Sequence, residues 1–131
     1  MPSGPTIFIV DDDEAVRDSL KVLVEAHGLT AEVYGSGREF LEAHDPLLDG
    51  CVVLDVNMPG MSGLDVLDTL ITNGDNKPVI IITGRVGAAA RTVALRAGAV
   101  AFLEKPLQDQ PLLETIQRAL QRRPSIPQEA L

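Results

Sequence analysis

The chain has no tryptophan, one tyrosine (Tyr34) and three phenylalanines in 131 residues. That argues against an aromatic platform for stacking single-stranded bases or sugar rings. Its single cysteine, Cys51, rules out an intramolecular disulfide; set in an apolar run, it reads as a small buried hydrophobe, in keeping with a reducing compartment. Basic residues are few, with 11 Lys and Arg against 19 Asp and Glu and a formal charge of −8. Direct nucleic-acid binding by this segment is therefore not expected, because that relies on clustered cations. No apolar run approaches the ~18 residues of a membrane span. The start, Met1-Pro2-Ser3-Gly4-Pro5, lacks a basic region followed by an apolar one, so a cytoplasmic protein is expected. There is no G-x-x-x-x-G-K-[ST], which excludes a P-loop nucleotide site. His27 and His44 read as surface residues near helix ends, without a second ligand at metal spacing.

What is present is a repeated strand and helix rhythm in a length that fits one domain. A strand over about 6–11 precedes a helical pattern in which Val16, Leu20, Leu23 and Val24 share a face and Gly28 supplies the stop. A short strand runs from Ala31 to Tyr34. Ser36-Gly37-Arg38-Glu39 then matches a capping box, opening a short helix through Leu41. Unbroken apolar runs at 51–54 and 79–82 read as strands buried on both faces, as in a parallel sheet covered by helices. Between them Leu64, Leu67, Leu70 and Ile71 mark a third helix that closes near Gly74. An alanine-rich fourth helix, about 88–97, ends at Gly98; its only large apolar residues are Val93 and Leu95, so weak anchoring is expected. A fifth strand spans about 99–103. Asp109 or Gln110 is expected to cap the last helix, which carries Leu112, Leu113, Ile116 and Leu120, with Pro111 in its first turn.

Five such units with short, right-handed connections predict the α/β class: a flavodoxin-like doubly wound (βα)5 three-layer sandwich with parallel sheet order 2-1-3-4-5. Residues 1–5 are expected to be a tail and 6–122 the folded domain. Residues 123–131, with two prolines and no periodicity, are expected to be a tail or the start of a linker.

Four apolar strands stop at or just before a reactive polar residue: Ile7 to Val10 at Asp11-Asp12, Cys51 to Leu54 at Asp55, Val79 to Ile82 at Thr83, and Val100 to Leu103 ahead of Lys105. Open α/β sheets bind ligands outside the carboxyl ends of their strands, so these side chains should converge on one edge. Carboxylates, a hydroxyl and an ammonium suit a small hard cation and a phosphoryl group. Each residue alone has a plainer reading: a solvated, acidic helix N-terminus for Asp11-Asp12-Asp13, a strand-end hydroxyl for Thr83 and a snorkelling surface lysine for Lys105. Asp13 is expected to be only the helix cap. The case for a site rests on their joint placement.

At these residues the chain resembles the receiver (phosphoacceptor) domain of two-component response regulators. The resemblance covers about residues 6–122 and is carried by Val10-Asp11-Asp12, by Leu54-Asp55-Val56-Asn57-Met58-Pro59-Gly60-Met61-Ser62-Gly63-Leu64, by Ile82-Thr83-Gly84 and by Phe102-Leu103-Glu104-Lys105-Pro106. The Thr-Gly step and the Glu-Lys-Pro-Leu ending look most like regulators with a LuxR-type output domain. The resemblance implies a phosphorylation-activated signalling switch, not an enzyme, that relays its phosphorylation by rearranging one face and so controls transcription. Asp55 would accept the phosphoryl group from a sensor histidine kinase or phosphotransfer protein. Asp11, Asp12, Asp55 and the Asn57 backbone carbonyl would hold Mg²⁺, with Mn²⁺ able to substitute. Thr83 and Lys105 would bind the phosphoryl group, and Phe102 would turn inward as Thr83 moves. The face of the fourth helix, fifth strand and fifth helix would then rearrange and form a homodimer. Lys105-Pro106 would be a cis peptide, and Asn57 and Arg85 would flank the path of a hydrolytic water.

Two other readings compete. A phosphatase of the haloacid-dehalogenase kind would place a second acid two residues after its nucleophile, where this chain has Asn57, and usually needs a cap domain for which there is no room. A docking module that has lost phosphorylation would not be expected to keep the acceptor, acidic pair, threonine and lysine together.

Overall fold

The apolar runs become parallel strands because each is too short for a core helix and is bounded by turn residues, while the amphipathic segments between them supply covering helices. The computed structural model describes residues 5–84 and 88–122. In chain order the elements are β1 (Thr6–Val10), α1 (Glu14–Ala26), β2 (Thr30–Tyr34), α2 (Gly37–Ala43), β3 (Gly50–Asp55), α3 (Gly63–Thr72), β4 (Val79–Thr83), α4 (Ala88–Arg96), β5 (Ala101–Glu104) and α5 (Asp109–Arg122). The sheet order is β2-β1-β3-β4-β5 with every pair parallel, the flavodoxin-like arrangement expected from the sequence. Arg85, residues 1–4 of the expected tail at 1–5 and the expected tail at 123–131 lie outside the described residues.

Period-two alternation sorts each strand between two cores. Phe8, Val10, Val52, Leu54, Ile81 and Phe102 face one side, where they meet Phe40, Val66, Leu67, Leu70 and Ala94 of α2, α3 and α4. Ile7, Ile9, Cys51, Val53, Ile80 and Ile82 face the other, against Leu20 and Val24 of α1 and Leu112, Ile116 and Ala119 of α5. Every residue of β3 and β4 is buried, which makes them the sheet centre. Cys51 is a buried free thiol whose pKa burial pushes up to about 12, so it packs as a hydrophobe.

Local signals hold α1 as expected. Asp13 is its N-cap and accepts from the amides of Ala15 (2.9 Å) and Val16 (3.4 Å). Gly28, at φ +80°, takes the left-handed conformation that ends the helix. Two caps differ from expectation. Ser36 accepts from the Glu39 amide, but the Glu39 carboxylate reaches Gly35 N–H at 3.3 Å rather than that of Ser36, so the box is only half closed. With Ser36 extended (φ −155°, ψ 160°), the preceding amide is the one the carboxylate meets. The complete capping box is at Ser62 and Asp65 on α3. Helix α5 begins at Asp109, and the Gln108 carbonyl accepts from Leu112 N–H, so Gln108 takes the cap place expected for Asp109 or Gln110. Pro111 then falls in the first turn, where its missing N–H costs nothing.

His44 corrects the expectation of a surface residue. Its side chain is 4% exposed, its ring lies 4.6 Å from Phe40 and 5.5 Å from Phe8, and Nε2 meets Asp75 Oδ2 at 2.5 Å. Lys77 Nζ completes the cluster, 3.3 Å from Asp75 Oδ2, 3.1 Å from the Pro46 carbonyl and 5.7 Å from the Phe8 ring centroid. These partners tie the segment after α2 to the approach to β4, at the edge of the sheet opposite the strand-end site. Burial pushes the Asp75 carboxyl up, but the His44 hydrogen bond, the Lys77 amide and the Lys77 charge outweigh it and hold it below the usual carboxylate range.

A carboxyl held low stabilises the fold above its unfolded value and loses that contribution as pH falls through its folded value. Asp75→Ala, which strands a buried lysine, is expected to cost about 3 kcal/mol at pH 7 by urea denaturation. The gap to wild type should persist to about pH 4, near the unfolded carboxyl value, and close on further acidification. A gap unchanged down to pH 2 would mean the Asp75 charge contributes nothing.

Candidate functional site

The strand order brings the chain's reactive residues together because β1, β3, β4 and β5 are successive neighbours. Asp11 follows β1, Asp55 and Thr83 end β3 and β4, and Lys105 follows β5. Asp11, Asp55 and Thr83 are almost fully buried, whereas Asp12 is exposed. Asp11, Asp12 and Asp55 each offer a carboxylate oxygen, all within 4.8 Å of one another. Lys105 Nζ lies 2.9 Å from Asp11 Oδ2 and 3.4 Å from Asp55 Oδ2. The Lys105–Pro106 peptide is cis, as the resemblance implied.

The surrounding backbone fixes this group. Asp11 Oδ1 accepts from the Asp13 amide at 2.9 Å, and Arg17 of α1 donates to the Asp11 carbonyl at 2.8 Å. Val56 N–H bonds to the Ile82 carbonyl and Gly63 N–H to the Val56 carbonyl, closing the loop after β3 back onto the sheet. A side chain at Gly63 would place its Cβ 2.3 Å from the Asp55 carbonyl oxygen, so only glycine lets α3 start this close to the acceptor strand. Asn57 donates its backbone N–H to Asp55 Oδ1 at 3.1 Å and its side-chain amide to Thr83 Oγ1 at 2.9 Å.

Burial raises the Asp55 carboxyl; the Asn57 amide opposes this, Asp11 adds to it and Lys105 opposes it, with a net upward shift. Burial alone would lower the Lys105 ammonium, but Asp11 and Asp55 outweigh it and hold the pKa above the ordinary value. Asp11 Oδ2 is buried and, although close to Lys105, receives no aligned hydrogen bond. An oxygen-only set with one under-used buried carboxylate oxygen fits a hard divalent cation.

Among the described residues, each sequence-predicted site residue is therefore at this edge, apart from Phe102. The Phe102 ring is set back in the core beneath it, 6% exposed. Sequence reasoning missed Arg17, Gly63 and the side-chain bond of Asn57. The only available signals were an arginine one turn into the first helix and a glycine directly after a serine cap.

Residues 7–117 match the response regulator receiver domain family, and the chain belongs to it. It is 40% identical over 122 residues to the transcriptional regulatory protein FixJ of Azorhizobium caulinodans, covering 93% of this chain and 58% of that protein. It is 42% identical over 118 residues to the response regulator protein TmoT of Ectopseudomonas mendocina, covering 90% and 54%. The chain thus spans little more than half the length of these relatives. Among solved structures, FixJ-N superposes with a TM-score of 0.87 at 35% identity over 95% of this chain and all of that one. Among the described residues no helix is long and apolar enough to cross a membrane.

A carboxyl whose folded pKa is raised destabilises the fold once ionised, and that penalty grows as pH rises from the unfolded value through the folded one. Asp55→Asn is therefore expected to melt above wild type at pH 7 in chelator, with the difference vanishing below about pH 4. Equal melting temperatures at both pH values would show that the crowded carboxylates impose no strain.

Proposed function

We propose that this domain is a phosphorylation-activated switch that accepts a phosphoryl group on Asp55 from a sensor histidine kinase or phosphotransfer protein in a Mg²⁺-dependent reaction. The observation that carries this reading is the convergence of the buried Asp11, Asp55 and Thr83 with the partly exposed Lys105 at one sheet edge, with Asp12 at its rim. Asp12, Asp55, Asp11 and the Asn57 carbonyl are the groups proposed to hold the ion. When bound, Mg²⁺ supplies charge neutralisation between carboxylate and phosphoryl oxygens.

The chain's own part is positional and electrostatic. An Asp55 carboxylate oxygen attacks phosphorus, the bond from phosphorus to the donor nitrogen breaks, and the electron pair leaves with the donor imidazole. Lys105, already facing Asp55 Oδ2 across 3.4 Å, pairs with the added negative charge. Thr83 donates its hydroxyl to a phosphoryl oxygen. Such a group brings nearly two negative charges to the strand end, and the elements beside it must answer them.

Helix α4 buries little. Val93 and Leu95 are 51% and 39% exposed and Ala94 is its buried residue, while Arg91 reaches the Phe102 carbonyl at 3.4 Å. A small bias at Thr83 can therefore shift the population of the α4-β5-α5 face, with Phe102 packed beneath it. We assign this face to phosphorylation-dependent dimerisation and to control of an output domain, by analogy with the transcriptional regulators the chain resembles.

Intact mass after incubation with a small-molecule phosphodonor should show one Mg²⁺-dependent phosphoryl addition that vanishes in Asp55→Asn. No adduct, together with no response to BeF₃⁻, would favour a docking module that has lost phosphorylation. Millimolar Mg²⁺ should raise the melting temperature of the wild type. Light scattering with BeF₃⁻ bound should show a doubled mass; an unchanged mass would remove the dimer from the proposal.

A further inference from the structure

Arg17 sits half-buried in the first turn of α1 and reaches back over the loop that carries the acidic pair. Its Nη1 donates to the Asp11 carbonyl at 2.8 Å, and its backbone N–H donates to the Asp13 carbonyl at 3.0 Å. Gly35 leaves room for the guanidinium, since a Cβ there would stand 3.3 Å from Nη1 and 3.7 Å from Cζ. The oxygen that Arg17 holds belongs to the peptide joining Asp11 to Asp12. A peptide is a rigid plane, so fixing its oxygen fixes the direction in which the chain leaves toward Asp12. The preceding peptide is fixed from the other side, because Asp11 N–H donates to the Tyr34 carbonyl at 3.1 Å. The choice of acceptor matters too. A cation bonded to one of the clustered carboxylates would compete with a metal for its oxygens. Arg17 directs this hydrogen bond to a neutral carbonyl and so shapes the acidic pair without occupying a carboxylate oxygen.

We propose that Arg17 is a positioning residue for the divalent cation: by holding the Asp11–Asp12 peptide it presents both carboxylates to one ion. This rests on the Mg²⁺-dependent reading above and assigns Arg17 no contact with the ion or the phosphoryl group. Removing Arg17 has two effects of opposite sign. Loss of a nearby positive charge alone strengthens the attraction of the acidic site for a cation. Loss of the hydrogen bond frees the Asp11–Asp12 peptide, which binding must then order again, and this weakens the affinity. The positioning role requires the second effect to win.

The test is the Kd for Mg²⁺, read from amide chemical shifts during titration with MgCl₂ in about 0.15 M KCl, where charge effects at a distance are largely screened. Arg17→Met keeps the apolar stem but has neither donor nor charge. It should raise Kd roughly fivefold, a charged hydrogen bond lost less the screened repulsion relieved. Arg17→Lys keeps the charge and can still donate, and should fall between Arg17→Met and the wild type. If Arg17→Met does not fold, Arg17→Gln takes its place with the same expectation, being neutral and too short to reach the Asp11 carbonyl. Asp75→Ala, which weakens the fold at the opposite edge of the sheet, should leave Kd unchanged. Unchanged or tighter binding in Arg17→Met, beside a wild type that binds, would overturn the positioning role alone. An equal weakening in Asp75→Ala would overturn it too, since any loss of stability would then loosen the ion. A wild type whose amides do not respond to MgCl₂ would overturn the Mg²⁺-dependent reading and this role with it.

Discussion

The constraint on which this molecule depends is the confinement of Asp11 and Asp55 at one buried sheet edge with a single lysine between them. Lys105 stands 2.9 Å from one carboxylate and 3.4 Å from the other, so one ammonium answers two negative charges that water can barely reach. Burial and mutual repulsion raise the Asp55 carboxyl, and the lysine and the Asn57 amide only partly correct it. On the proposed reading an added cation would offset the crowded carboxylates, and a phosphoryl group on Asp55 would then bring acceptors for Thr83 and Lys105. The strain is thus the same feature as the reactivity, seen without its ligands.

The opposite edge is arranged in the reverse sense. There Asp75, His44 and Lys77 are almost fully buried, but each charge faces a partner, and Lys77 also caps the carbonyls of Asp45 and Pro46. The packed rings of Phe8 and Phe40 enclose the imidazole. The fold is consequently fastened at the end where nothing has to move and left electrostatically unsettled at the end where chemistry is proposed. On the proposed reading this division would let a small local event at Asp55 be felt without loosening the sheet as a whole.

The strands and the site were readable from the sequence for a shared reason. Continuous apolar runs such as Val79 to Ile82 announce buried parallel strands, and the polar residue ending each run falls at a position the topology then makes common. What could not be read depends on geometry between distant segments. His44 and Asp75 are 31 residues apart, and neither lies in a pattern that names the other. The cap of α5 shifted because Pro111 tolerates several first-turn positions. The Glu39 carboxylate chose Gly35 over Ser36 through backbone angles that residue types do not specify. The Asn57 side chain belongs here too, since the familiar spacing after Asp55 draws attention to its carbonyl rather than its amide.

The weakness of α4 completes the argument. Its sequence, Ala88-Ala89-Ala90-Arg91-Thr92-Val93-Ala94-Leu95-Arg96, has strong intrinsic helix propensity but few large groups to bury. Such a helix keeps its internal hydrogen bonds wherever it sits, while its position relative to the sheet is set by few contacts, among them Arg91 to the Phe102 carbonyl. A displacement at Thr83 of a few tenths of an ångström would be absorbed by a tightly packed helix of leucines. Here few buried groups resist it, so on the proposed reading a hydrogen bond gained at the phosphoryl group would be enough to shift the helix. On the proposed reading the alanines of α4 would matter to signalling alongside the aspartates, because they would leave the helix within reach of so small a stimulus.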